Sequence, residues 1–221
     1  MKNIHVHVNE NREIDYEKII YGIKKGLEIA NSLDEFTEKT YELPIRECDL
    51  SAFDPKPLLL DIGGAGEYTI MKNTKCKMCI IDKNVDELIN NSRVQTYEMD
   101  AQQMRFENER FESVSAFYSF FYMDDIELKN VMKETHRVLK KEGHLYIWDV
   151  CFEKKELDES VLAPVKLTNE NGSKIHAFVS SSLQEGRNEM FYKNMLEEQG
   201  FAIQEFCRSE SGVYIKCMRK E

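Results

Sequence analysis

The stretch LLLDIGGAGEYT, from Leu58 to Thr69, constrains the fold more than any other part of the chain. Three leucines run into Asp61, and Gly63, Gly64 and Gly66 follow within a few residues. An apolar run closed by glycines reads as a strand buried on both faces. The glycines permit a sharp turn and let the backbone approach a ligand with no side chain in the way. Glu67 to Asn73 is expected to begin a helix whose free N–H groups face that ligand. Strand, glycine turn and helix start together predict the nucleotide-cofactor cradle of an open α/β sheet.

Downstream, strands alternate with helices or loops. Cys76 to Ile81 reads as a second strand ending at Asp82. An acid at this tip, roughly 20 residues past the glycines, is placed to bond the ribose hydroxyls of a nucleoside. On spacing alone it serves equally well to cap a helix around Val85 to Asn90. Val94 to Met99 is a third strand with Asp100 and Ala101 at its end, and Met104 and Phe106 anchor the loop beyond. Phe111 to Tyr118 is a fourth. Leu128, Val131, Met132, Thr135, Val138 and Leu139 mark one face of a helix over Asp125 to Leu139. Lys140 to Gly143 should close that helix, the lysines near its negative end and the glycine as terminator, before a fifth strand, His144 to Val150. Such alternation predicts a mainly parallel sheet.

The last third departs from it. Val161–Thr168 and Lys174–Ser181 flank a turn signal at Asn169 to Gly172, and so predict an inserted hairpin at about 161–182. A helix over Arg187 to Gln199 follows, then a second hairpin from Phe201–Cys207 and Val213–Met218.

Upstream, IHVHV alternates like a short strand, and Ile19, Ile20, Ile23, Leu27 and Ala30 recur at helical spacing. His5 and His7 would share a strand face, but with no third ligand nearby an exposed edge is the simpler reading and no metal site is expected. Asp54-Pro55-Lys56-Pro57 reads as a stiff linker, giving a helical extension over 1–57 packed on a core domain over 58–221. Cys76 and Cys79 form a C-x-x-C whose members point to opposite faces of a strand, which disfavours zinc. The six cysteines are scattered, as in a protein with reduced thiols, and the start has no signal-peptide core, so the expected location is cytoplasmic. A net charge of −10 argues against nucleic acid and acidic membranes as partners, leaving a small-molecule substrate, with a homodimer open.

Taken in order, these motifs resemble the class I S-adenosylmethionine-dependent methyltransferases. LLLDIGGAGEYT is similar to the family's first motif, IIDKNVDEL to its acidic second-strand end, and YEMDAQQMRFENERFESV to its third segment. ETHRVLKKEGHLYIWD is similar to its helix, glycine turn and fifth strand, so the resemblance covers Leu58 to Val150 well, and the closing helix, Gly200-Phe201 and the terminal hairpin extend it to the C-terminus. It implies a Rossmann-like, mostly parallel seven-stranded α/β sheet with helices on both faces and an antiparallel last strand beside the sixth. It implies S-adenosyl-L-methionine as cofactor. Asp61 and the backbone of Gly63, Gly64, Ala65 and Gly66 would hold the methionine portion, and Asp82 the ribose. Asp100 and the Ala101 amide would meet the adenine, and Tyr118 and Ser119 would border the methyl group and acceptor. The family's Asp-x-Gly-x-Gly-x-Gly frame falls here on Asp61, Gly63, Ala65 and Glu67. Either two glycines are replaced, or the loop is one residue shorter and Gly66 moves into register.

Methyl transfer is an in-line displacement in which the protein chiefly aligns reactants. Groups at strand ends that could position or deprotonate an acceptor are Tyr118, Tyr122 and Asp149, with Asp124, His144 and Cys151 behind them. Tyr118, Phe120, Phe121 and Tyr122 could line an apolar pocket or simply be core, and Asp149 could form a cap or salt bridge. The glycine spacing does not suit a nicotinamide turn, since Tyr68 falls where a glycine is needed. It does not suit a P-loop either, because Gly66 is followed by Glu67-Tyr68 and not by Lys-Ser/Thr. The expected function is therefore methyl transfer to a small molecule, less readily to a protein. The competing expectation is a methyltransferase-fold protein that senses the cofactor or docks partners without catalysis.

Overall fold

The computed structural model describes residues 4–5, 39–51, 53–66, 68–85, 88–153, 159–169, 172–180, 187–210 and 212–221. The helix expected from Ile14 onward, and His7, lie outside them. The elements described upstream of residue 50 are strands: β1 (Ile4–His5), β2 (Lys39–Glu42) and β3 (Arg46–Asp49).

The Leu58 run forms β4 (Leu59–Ile62), every residue of which is buried, as a strand at the centre of a covered sheet must be. After the glycine turn comes α1 (Thr69–Lys72), then β5 (Met78–Asp82), β6 (Val94–Glu98) and β7 (Phe111–Phe117). A 3-10 turn at Phe120–Tyr122 leads to α2 (Asp125–Val138) and directly into β8 (Leu139–Val150). β9 (Glu159–Asn169) and β10 (Gly172–Ser180) make the inserted hairpin. The chain closes with α3 (Glu189–Glu198), β11 (Phe201–Arg208) and β12 (Gly212–Arg219).

Seven strands form one sheet in the order β11-β12-β8-β7-β4-β5-β6. β4 to β8 pair in parallel, while β12 runs antiparallel between β8 and β11. The chain moves outward from β4 to β6 and then returns to β4's other side as β7, so the strand order reverses between β4 and β7. That reversal opens a crevice at the carboxyl ends of the two strands. The sheet is the expected Rossmann-like one.

Its two faces are covered differently. On one, α2 contributes Leu128, Val131, Met132 and Val138, and α3 contributes Tyr192 and Leu196, to a core with Leu60, Ile81, Val114 and Ile147. On the other, Ile70 of the short α1 is joined by a second sheet, β1-β10-β9-β2 with β3 also on β9. Leu43, Cys48, Val161, Val165, Leu167 and Phe178 of this layer pack against Leu59, Ile80, Phe117, Tyr146 and Trp148. Helices therefore do lie on both faces, but among the described residues strands cover most of the second.

β9 is the spine of that layer. β2 pairs with it in parallel over Glu159–Leu162 and β3 over Val165–Thr168. Pro164, which has no N–H to donate, falls between the two pairings, where the ladder is already broken.

Several boundaries differ from the sequence reading. The helix expected from Glu67 is only α1, and Tyr68 before it is left-handed at φ 53. Among the described residues of Val85 to Asn90 there is no helix; Asn90 instead bridges to Gln95. α2 stops at Val138 because Leu139 is already extended, and Glu142, not Gly143, takes the left-handed turn at φ 58. A Cβ on Gly143 would sit 2.8 Å from the Lys140 carbonyl, so this glycine serves close packing and does not terminate the helix.

Candidate active site

The crevice is built from the glycine loop upward. Gly63 is left-handed at φ 71, and its N–H donates to the Ile81 carbonyl at 2.7 Å, pulling the loop toward the end of β5. A Cβ there would collide with Ser119 just past β7, and one on Gly64 would collide with the Asp61 carboxylate. Both positions thus need glycine for close approach, Gly63 for its backbone angle as well. Ala65 is different. It is 3 % exposed, and its methyl packs into the core beside Leu59 and Ile70. The alanine that breaks the family's glycine frame therefore points inward, and Gly66 is the exposed residue of the turn.

Asp61 lies beneath this loop. It is 1 % exposed, with one carboxylate oxygen accepting from the Ser115 hydroxyl at 2.7 Å and the other buried with no hydrogen-bond partner. Burial pushes its pKa up to about 7, the Ser115 bond opposing and the nearby Asp82 charge adding to the rise. Asp61 is placed to support the loop from below.

Asp82, at the tip of β5, is half-buried. Its carboxylate accepts from the Ala65 N–H at 3.3 Å and from the Asn84 N–H at 3.1 Å, tying the second strand's end to the glycine turn. Asp100 is exposed at the end of neighbouring β6, where it accepts from the Gln102 N–H at 2.8 Å; Ala101 beside it is buried. Lys83 reaches Glu127 at 3.0 Å and Asp100 at 3.7 Å across the rim. The Asp100 loop is pinned by Arg137 of α2, which donates to the carbonyls of Phe106 (2.7 Å) and Met104 (2.9 Å) while paired to Glu134. Glu134 in turn accepts from the Met104 N–H at 2.7 Å.

At the end of β7, Tyr118 is left-handed at φ 51, an uncommon state for a bulky residue. Its ring stacks on Phe178 of β10 with centroids 4.7 Å apart and 6° between planes. Its hydroxyl is buried without a partner, as is that of Ser119. Burial drives the Tyr118 phenol well above its ordinary range, which keeps it protonated, with the Arg46 charge pulling the other way.

The remaining candidates divide. Asp124 is the N-cap of α2, accepting from the Glu127 N–H at 2.8 Å in a reciprocal capping box, so helix termination occupies it. Tyr122 is half-buried and packs against the inter-sheet core. Cys151 is fully buried and its thiol is pushed up by burial, the wrong direction for a nucleophile. His144 begins the regular part of β8, at the end away from the crevice. Asp149 is fully buried with Arg187 Nη1 at 3.9 Å, and burial raises its pKa to about 6 against that cation's pull. Arg187 also donates to the carbonyls of Phe120 (2.6 Å) and Met123, clamping the 3-10 turn that borders the crevice. Sequence reading missed Arg187, Arg46, Ser115 and Phe178. A charged residue in the inward phase of an alternating strand, as in Arg46-Glu47-Cys48-Asp49, was the one available signal for Arg46.

An open sheet with antiparallel β12 between β8 and β11, a glycine loop at its switch point and acids at consecutive strand tips is the arrangement in which α/β proteins bind ligands at the carboxyl ends of their strands. Residues 61–147 match the family model described as a methyltransferase domain. Over those residues the chain is thus similar to a methyltransferase domain, consistent with the class I S-adenosylmethionine-dependent methyltransferases that its motifs resemble. Among solved structures, an S-adenosylmethionine-dependent methyltransferase from Methanosarcina mazei is 15% identical, with 86% of this chain and 97% of that one covered at a TM-score of 0.53. One from Mesorhizobium loti is 11% identical, with 73% and 90% covered at 0.52. At such identities the likeness is one of fold. A search of curated proteins finds no match. No helix among the described residues is long and apolar enough to cross a membrane.

Proposed function

We propose that the chain transfers a methyl group from S-adenosyl-L-methionine to a small-molecule acceptor. The observation that carries this is the state of the glycine loop. Ala65 turns its methyl into the core and its N–H to Asp82, so this departure from the family's glycine frame puts no side chain into the crevice; Glu67, the other departure, lies outside the described residues. The residues therefore fit the cofactor. The Gly63–Gly66 backbone would hold its methionine portion, Asp82 its ribose, and Asp100 with the Ala101 N–H its adenine. When bound, the cofactor supplies a methyl group on a sulfonium, activated for in-line displacement.

The chain's own work is then alignment and exclusion of water. Ser119 and Tyr118 stand at the crevice end of β7 with unsatisfied hydroxyls, able to hold an acceptor oxygen or nitrogen. Phe178 and the inter-sheet core wall this region off from solvent. A non-catalytic sensor is the second reading, favoured by the four-residue length of α1 where a longer helix was expected.

Calorimetric titration with S-adenosylmethionine and S-adenosylhomocysteine tests the proposal. Wild-type protein should bind both. Asp82→Ala should lose roughly 1.5–3 kcal/mol, the scale of hydrogen bonds to a charged group. Unchanged affinity would remove Asp82 from the site, and failure of the wild type to bind at millimolar ligand would sink the reading.

A further inference from the structure

Arg46 is the least explained charge in the molecule. It lies on β3, in the strand phase that faces the large sheet, and is 8 % exposed. Its Nε and Nη1 are buried with no hydrogen-bond partner, and among the described residues no carboxylate lies within ion-pair distance of it. A buried guanidinium in this state is costly, because its donors have left water and gained nothing.

The fold nonetheless makes room for it. A Cβ on Gly212 would collide with Arg46 Nη1 and lie 2.5 Å from its Cδ. Gly212 pairs with Val150 at the carboxyl end of β8, the crevice side of the sheet. The Tyr118 phenol and the Asp149 carboxyl both sense the Arg46 charge. Register brings Arg46 toward Tyr118: β9 pairs Val165 with Arg46 and, two residues earlier, Ala163 with Phe178, on which Tyr118 stacks. Arg46 Nε and Nη1 and Tyr118 Oη are all buried without hydrogen-bond partners.

The two buried arginines are not alike. Arg187 already has two carboxylates, Asp149 at 3.9 Å and Asp125 at 3.6 Å, whereas Arg46 has none among the described residues. Arg46 is thus a single buried positive charge without a counter-charge. That is the complement of a monoanion. A phosphate dianion would overcompensate and would face Asp149 as well.

We infer that Arg46, with the Tyr118 hydroxyl, forms an anion subsite for the carboxylate of the methyl acceptor, which makes the substrate class a small organic acid. This rests on the methyl-transfer reading for the word acceptor, but the subsite can be tested without turnover. Thermal melts and calorimetry on the full chain, with benzoate as probe, benzamide as its neutral counterpart and phenyl phosphate as the dianion, read it directly. Benzoate should raise the melting temperature, and the other two should not.

Arg46→Met should abolish the benzoate shift and raise the melting temperature of the unliganded protein, since it removes a buried unpaired charge. S-adenosylhomocysteine affinity should stay at the wild-type value. Arg46→Lys keeps the charge in a fold that has room for it, and should bind benzoate about tenfold more weakly through loss of guanidinium geometry. Benzamide or phenyl phosphate binding as well as benzoate would overturn the subsite. So would a benzoate response unchanged in Arg46→Lys, or an Arg46→Met protein that melts lower and responds as before, since Arg46 would then be only a structural counter-charge to Asp149. Arg46-dependent benzoate binding in a protein that ignores S-adenosylhomocysteine would keep the subsite and reject methyl transfer.

Discussion

Asp61 shows how far one buried carboxyl can set the behaviour of a site. Its pKa stands near 7 instead of the ordinary 3.8, chiefly through burial. The folded state thus holds its proton more tightly than the unfolded chain does. Protonation stabilises the fold fully below about pH 4, and this contribution fades as pH rises toward about 7. Asp149, raised to about 6, acts with the same sign. Denaturant melts should show stability falling between these limits by on the order of a few kcal/mol. Asp61→Asn should flatten that slope; an unchanged profile would mean that other groups cause it. The places of Asp61, Gly63, Asp82 and Asp100, at strand ends and in the glycine turn, were legible in sequence because they follow from spacing around a strand-turn motif. Arg46 and Arg187 were not, because an inward arginine looks like a surface arginine until the layer above it is known. The direction of the Ala65 methyl was equally hidden, being a matter of one backbone turn.

At the scale of elements, α2 does more than cover the sheet. Its N-terminus is closed by Asp124 and Glu127, and Glu127 also receives Lys83 from the rim. Nearer its C-terminus, Arg137 and Glu134 hold the backbone of the loop that carries Asp100 and Ala101. Arg137→Ala should free that loop. The expected result is a cofactor affinity lowered several-fold with little change in far-ultraviolet circular dichroism; unaltered affinity would show that the loop is held without it. The helices were readable where they are amphipathic and capped, as α2 and α3 are. The turn after the glycines misled because apolar residues there fill the inter-sheet core without a helix to carry them. β2 and β3 went unread because each is only four residues long and neither pairs with a strand near it in sequence.

At the scale of the molecule, a second sheet joins α1 over one face of the large sheet. Phe178 against Tyr118, and Leu167 and Val165 over the Trp148 region, make it part of the core and of the crevice wall together. Deleting Leu167 to Ile175 removes the β9 partners of Cys48 and Asp49 and opens that layer. The shortened chain should melt at markedly lower temperature and expose apolar surface to a hydrophobic dye. A protein that kept its stability and turnover would show the hairpin to be dispensable. Its β9–β10 hairpin was legible from a turn signal, but no local pattern revealed that β2 and β3 join it, since the pairing links segments more than a hundred residues apart, as in Arg46 with Val165.

That pairing also sets an order of events. A ribosome releases β2 and β3 early, yet the edge they pair with among the described residues is β9, which emerges after β4 to β8 have been made. The parallel strands and their glycine loop can assemble first, while the upstream segment waits unpaired as a tether. Its docking closes the longest loops in the fold, the costly kind of contact that folding chains make late. Arg46 rides on that last piece, so the cradle for a cofactor would be complete before the wall that screens an acceptor is in place.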